Sequence, residues 1–174
     1  DQEAVTAARQ ASQPWGEAKR MKSMFFEDFR VGDRFGTAGV TLTEAQIIDF
    51  ALMYDPQPFH VDAVAAANGP FGGLIASGFQ TLALTFRLLR DTGIIHDSSM
   101  GGSGGDQLRW LRPVRPGDTL KVVVEVTEVQ PSRSRDDRGR VRLQYNTYNQ
   151  RDESVLSILL DHIIARRTPE TISV

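Results

Sequence analysis

Residues 77–92 read Ser-Gly-Phe-Gln-Thr-Leu-Ala-Leu-Thr-Phe-Arg-Leu-Leu-Arg-Asp-Thr, and this stretch decides the fold. Ser77 is a residue type that starts helices, because its hydroxyl oxygen accepts from a free backbone N–H of the first turn. Phe79, Leu82, Ala83, Phe86 and Leu89 then recur at helical spacing. Leu84 and Leu88 add apolar surface on another side, so little of the circumference is polar. A helix of that kind is covered by the rest of its domain. Gly93 is placed to end it.

Downstream the period changes from helical to alternating. Leu120, Val122, Val124 and Val126 alternate, as do Val141, Leu143, Tyr145 and Thr147, and each set predicts a strand. The turn before the first set is Arg115-Pro116-Gly117-Asp118. A polar hairpin loop, 133–139, joins the two strands. The run 155–165 is apolar on both faces, and its β-branched content favours a strand over a helix. The segment 107–114 reads as one more strand, preceded by a Gly-rich loop over Gly101 to Gly105. Consecutive strands with short turns imply an antiparallel sheet. One sheet curled around one long apolar helix hides that helix compactly, so the expected class is α+β.

Upstream, 25–40 holds a turn (Val31-Gly32-Asp33) and then a first strand. Thr43 to Met53 reads as a helix, with Gln46 at the spacing of a capping box and Ile47, Ile48, Ala51 and Leu52 as its apolar face. Pro56 and Pro58 forbid its continuation. Asp62 can cap a short helix that runs through Asn68.

The composition is that of a globular chain. Of 174 residues, 40% are hydrophobic and 24% charged, which suits one domain with a core of its own. That domain is expected over 25–167, with an extension or appended segment over 1–24 and a tail over 168–174. A net charge of −2 gives no general attraction to nucleic acid. No stretch reaches the roughly 18 apolar residues of a membrane span, and residues 1–22 contain no apolar segment of the signal-peptide type. With no cysteine, disulfides and thiolate metal sites are excluded. That fits a reducing compartment such as the cytoplasm.

The chain has three histidines. His96 reads as a surface residue and His162, inside an apolar run, as a hydrogen-bonded structural one. His60 stands in Tyr54-Asp55-Pro56-Gln57-Pro58-Phe59-His60-Val61-Asp62. Two prolines stiffen this loop, and a stiff loop holds two side chains in the fixed relation that catalysis needs. A carboxylate and an imidazole together can activate a water and return a proton. The spacing alone equally allows Asp55 to cap a turn and His60 to be a polar loop residue. Asp49 is expected on the exposed side of its helix. At Ile75-Ala76-Ser77-Gly78 the first N–H groups of the long helix lack internal partners and carry the positive end of its dipole. Gly78 N–H can stabilise a developing enolate, or it can be an ordinary helix start. Arg109, Arg112 and Arg115 can grip a phosphorylated carrier such as coenzyme A. Arg133, Arg135, Arg138 and Arg140 read as a solvated edge.

Taken together, these segments resemble the MaoC-like dehydratase family, which includes (R)-specific enoyl-CoA hydratases. Asp55, Pro58, His60 and Asp62 match its Asp-x-Asn-Pro-(Ile/Leu)-His-x-Asp motif, with Gln57 where Asn is usual and Phe59 where Ile or Leu is usual. Ile75 to Gly78 resembles its Ser-Gly segment, Trp110 to Asp118 its Phe-x-x-Pro-Val-x-x-Gly-Asp segment, and Phe29 to Asp33 its opening. The resemblance spans about 25–167. It implies a hot-dog fold, a homodimer or larger homo-oligomer, and an acyl-CoA substrate that enters near the subunit interface. It also implies that Asp55 and His60 activate the water and that the Gly78 amide forms the oxyanion hole. Ser77, Phe59, Arg109 and Arg112 are the expected substrate-binding residues. No metal or redox cofactor is implied; coenzyme A is part of the substrate. The expected reaction is addition of water to, or its removal from, a 2-enoyl or 3-hydroxyacyl thioester. A hot-dog acyl-CoA thioesterase and a non-catalytic acyl-CoA-binding dimer are the alternatives.

Overall fold

A computed structural model of the protein describes residues 21–167. The tail expected over 168–174 lies outside the described residues, as does the expected extension up to residue 20.

The alternating segments form the strands β4 (Thr119–Pro131), β5 (Arg138–Tyr148) and β6 (Ser154–Ala165). They pair as an antiparallel meander in which Val122, Thr147 and Leu156 lie in one row and Val124, Tyr145 and Ile158 in the next. One side chain in two points inward, so the inner face is an apolar layer interrupted by the buried Thr147. Leu120, Val122, Val124, Val126, Val141 and Tyr145 are all fully buried. The short strands β1 (Arg34–Gly36) and β2 (Val40–Thr41) pair with β4 on one side. On the other side β3 (Ser99–Trp110) pairs with β6, so the main path runs β1-β4-β5-β6-β3. The helices α1 (Glu44–Tyr54), α2 (Pro58–Val61), α3 (Ala63–Ala67) and α4 (Gly78–Asp91) fall between β2 and β3. This is the α+β hot-dog architecture, with α4 as the long central helix. No helix among the described residues is long and apolar enough to cross a membrane.

The helix signals in the sequence hold in detail. Thr43 and Gln46 form the reciprocal capping box of α1, and the Asp62 carboxylate accepts from Val64 N and Ala65 N at the head of α3. Ser77 Oγ accepts from Phe79 N at 3.2 Å. Gly93, just past α4, has φ +80°, a conformation that suits glycine.

Three expectations are corrected. First, the buried side of α4 is Gln80, Thr81, Thr85, Leu88 and Leu89, whereas Phe79 and Phe86 are 59% and 39% exposed. The inward hydroxyls have partners: Thr85 Oγ1 lies 2.6 Å from Thr147 Oγ1 on β5, while Gln80 donates through Nε2 to Gln46 O at 2.8 Å and leaves its Oε1 buried without a hydrogen-bond partner among the described residues. A satisfied hydroxyl can be buried at little cost, so hydrophobicity misjudged which side faces the sheet. Leu52, placed on the apolar face of α1, is likewise 63% exposed. Second, Gly101 to Gly105 is part of β3 and not a loop. Its glycines make room, since a Cβ at Gly105 would lie 2.7 Å from Leu160 Cδ2. Third, β3 starts at Ser99 and ends at Trp110, so 111–114 lies beyond the strand.

His162 is buried, as its setting suggested. Its Nε2 lies 2.9 Å from Tyr145 Oη and its ring stacks on Phe86 at 6.1 Å. Burial pushes its pKa down from 6.5 to about 4. Below pH 6.5 the unfolded chain takes up a proton at this site that the folded chain refuses, so stability falls as pH falls from 6.5 to 4. The loss reaches about 3 kcal/mol at the lower end. Denaturant titrations across this range are expected to show the loss in the wild type and a shallower slope in His162→Gln. Equal slopes would show that His162 does not carry it.

Candidate active site

The loop between α1 and α3 is built by proline and main-chain bonds. Asp55 ends α1, with its N–H donating to Ala51 O. Pro58 occupies the first position of α2, where its missing N–H costs nothing. His60 N donates to Gln57 O at 2.9 Å and Asp62 N to Pro58 O at 2.9 Å. A one-turn helix therefore stands where the sequence showed only a loop, and it turns His60 inward until it is 4% exposed.

The two ring nitrogens of His60 have different partners. Nδ1 lies 2.7 Å from the Ile75 carbonyl oxygen. A carbonyl only accepts, so Nδ1 carries the hydrogen. In the neutral ring Nε2 is then a lone pair, 3.3 Å from Asp55 Oδ2. The Phe59 ring meets His60 edge-on at 4.6 Å and Phe71 at 5.2 Å, which braces the imidazole.

Asp55 is held through both oxygens. Oδ2 accepts from Ser77 Oγ at 2.7 Å and Oδ1 from Gln57 Nε2 at 2.8 Å. The Ser77 hydroxyl, more than any other group, holds the carboxyl below its ordinary range; burial opposes it, while Gln57 and His60 reinforce it. The group is therefore an anion at neutral pH. Ser77 is fully buried, and the segment before it is tied on two sides: Ile75 N donates to Phe59 O and Ala76 N to Val114 O.

Asp55, Gln57, His60 and Gly78 open on one cavity of about 340 Å³. Gly78 is the first residue of α4, so its N–H has no partner inside the helix. Phe71, Phe79, Trp110 and Leu111 supply the apolar wall. Trp110 lies so close to Gly78 that an added Cβ would sit 2.4 Å from its Nε1. Polar groups converging on an apolar-walled hollow make a binding site for a small, partly apolar ligand. Arg112 also lines the cavity, with Nη1 donating to Ser154 O at 3.1 Å. Arg109 does not line it, and its Nη1 donates to Leu108 O. Arg115 donates to Phe71 O and supports that wall. In the hairpin, Arg138 pairs with Asp137, and Arg140 with Glu128 and Asp161. His96 and Asp49 are exposed, and His162 is elsewhere in the core.

Sequence reasoning missed Phe71 and the Ile75 carbonyl. An aromatic residue inside the glycine loop 69–73 was the available signal for Phe71. A main-chain acceptor leaves no signal in residue identity.

An antiparallel sheet with one long central helix is the architecture of the hot-dog class. Residues 28–148 match the MaoC-like domain family, and the chain belongs to this family of dehydratases and hydratases. It is 36% identical to the uncharacterized protein YdeM of Bacillus subtilis, over 82% of this chain and 100% of that one. It is 31% identical to the 3-hydroxybutyryl-CoA dehydratase of Methylorubrum extorquens, over 66% of this chain and 71% of that one. Against the protein MaoC of Klebsiella aerogenes, 32% identical over 71% of this chain, it spans 39% of the relative's length. Among solved structures, a MaoC-like dehydratase from Rhodospirillum rubrum superposes with a TM-score of 0.78 at 42% identity, covering 84% of this chain and 99% of that one. An R-hydratase from Pseudomonas aeruginosa does so with a TM-score of 0.68 at 28% identity, covering 84% and 88%.

The fit between Trp110 and Gly78 can be measured. Gly78→Ala is expected to cost about 1–3 kcal/mol of stability by overpacking, and much less in a Trp110→Ala background, because contacting residues couple. Simple addition of the two single losses in urea denaturation would show that the indole is not what excludes a side chain at position 78.

Proposed function

We propose that the protein adds water to a 2-enoyl thioester, or removes it from the 3-hydroxyacyl thioester, with coenzyme A as carrier. The observation that carries this reading is the Asp55–His60 pair at the cavity, with Nε2 3.3 Å from Asp55 Oδ2. With the imidazole neutral, a water can give one hydrogen to Asp55 Oδ2 and the other to His60 Nε2. Its oxygen is then oriented and made more nucleophilic, as positioned general bases do.

In the hydration direction the water oxygen bonds to the β-carbon and the carbon–carbon π bond opens toward the carbonyl. The charge on the thioester oxygen is met by the Gly78 N–H, a donor class worth about 3–4 kcal/mol in acyl-transfer enzymes. The proton taken from water at the Asp55–His60 pair is returned to the α-carbon, so the elements of water are added and nothing else is consumed. Arg112 is suited to the anionic carrier, and Ser77 keeps Asp55 aimed. Relatives named as a 3-hydroxybutyryl-CoA dehydratase and an R-hydratase support this reading. We also propose a homodimer, since the exposed Phe79 and Phe86 and the outer edge of β3 offer a surface for a second copy.

Crotonyl-CoA tests the reaction. Hydration removes the enoyl absorbance without freeing thiol, whereas a thioesterase would free thiol. Asp55→Asn and His60→Ala are each expected to lower kcat at least about 100-fold and to leave the fold intact by circular dichroism. Near-full activity in either variant would overturn the assignment.

A further inference from the structure

We propose that Gln57 is a positioning residue, which clamps the outer oxygen of Asp55 so that the inner oxygen stays aimed at the water site beside His60. The proposal rests on the hydratase reading of Asp55 and goes one step beyond it.

A carboxylate on Cβ can turn about the bond to its carboxyl carbon, and a general base that turns away loses its alignment. Ser77 alone fixes one oxygen and leaves the other free. The Gln57 amide removes that freedom, because Nε2 donates to Oδ1 at 2.8 Å while Ser77 Oγ donates to Oδ2 at 2.7 Å. The two donors come from different parts of the chain, one from the proline loop and one from the start of α4. Between them they keep Oδ2, the oxygen that accepts from Ser77, facing His60 Nε2 at 3.3 Å.

The clamp is rigid at its base. Gln57 is flanked by Pro56 and Pro58. Its N–H donates to Asp55 O at 2.8 Å, and its carbonyl accepts from His60 N at 2.9 Å. One residue therefore touches both members of the pair through its main chain and steers Asp55 through its side chain. Its side chain also lines the cavity, so it stands within reach of the reaction.

Charge gives the clamp a second effect. The groups in contact with the Asp55 carboxylate are His60 from α2, Ser77 from the head of α4 and Gln57 from its own loop. The charged group that lines the same cavity is Arg112, which is turned to Ser154 O and Glu153. A neutral donor on Oδ1 favours the anion, in the same direction as Ser77. Glutamate in place of Gln57 keeps the shape, removes the donor and adds a like charge.

The test compares wild type, Gln57→Ala and Gln57→Glu in two readouts. The first is crotonyl-CoA hydration across pH. Both variants are expected to lose roughly 10- to 100-fold in kcat with KM within about twofold. The acid limb of kcat/KM should move to higher pH, further in Gln57→Glu. The second readout needs no turnover: carbon-13 NMR of labelled aspartate carboxyls, with the Asp55 signal assigned by its absence in Asp55→Asn. The Asp55 titration should move to higher pH in both variants. A raised KM with unchanged kcat would make Gln57 a binding residue and overturn the proposal. So would a fall in kcat with an unmoved acid limb, or an Asp55 titration that stays in place. If wild type hydrates no enoyl thioester while the Asp55 titration still moves, the hydratase reading fails and the clamp stands.

Discussion

One buried hydroxyl joins the fold to the chemistry. Ser77 Oγ accepts from Phe79 N and donates to Asp55 Oδ2. The same atom thus starts the central helix and aims the acid. Its neighbours in the chain fix where it lies: Ile75 bonds the Asp55–His60 loop and Ala76 bonds the segment after β3. The helix it starts is in turn held to the middle of the sheet by the Thr85–Thr147 contact. Position of the acid, start of the helix and seating of the helix on the sheet are parts of one connected network.

That network explains why polar residues occupy the inner side of α4. Apolar contacts alone hold a helix on a sheet without fixing its rotation or its slide. Hydroxyl pairs have narrow geometry, and they set both. Chains that need a catalytic group placed within fractions of an ångström gain from such fixed points. Phe79 and Phe86 are left on the outer side, where the first also walls the cavity.

Much of this was legible beforehand, and the reason differs by element. Caps depend on local residue types, so Thr43, Asp62 and Ser77 announced their helices. Strands β4 and β5 bury alternate residues, so Leu120 to Val126 and Val141 to Thr147 announced the sheet. The proline-bounded Asp55–His60 spacing drew attention to the loop for a sound reason, because both prolines do shape it. What stayed hidden depends on partners distant in sequence. Gly101 to Gly105 forms a strand because β6 lies alongside, and glycine has no side chain to show a period. The buried side of α4 depends on Thr147, 62 residues beyond Thr85. The reach of Gln57 to Asp55 depends on a side-chain rotamer, which a motif comparison registers only as a departure.

The Ile75 carbonyl that accepts from His60 Nδ1 has a consequence for how this site tolerates mutation. Many histidines owe their tautomer to a neighbouring carboxylate, which one codon change can delete. Here the partner is an atom that every amino acid carries. Substitution at position 75 alters the packing around that oxygen without removing it, so the choice of tautomer is insulated from point mutation. The site can therefore drift in its walls, and in what those walls admit, while the nitrogen that faces the acid stays the same.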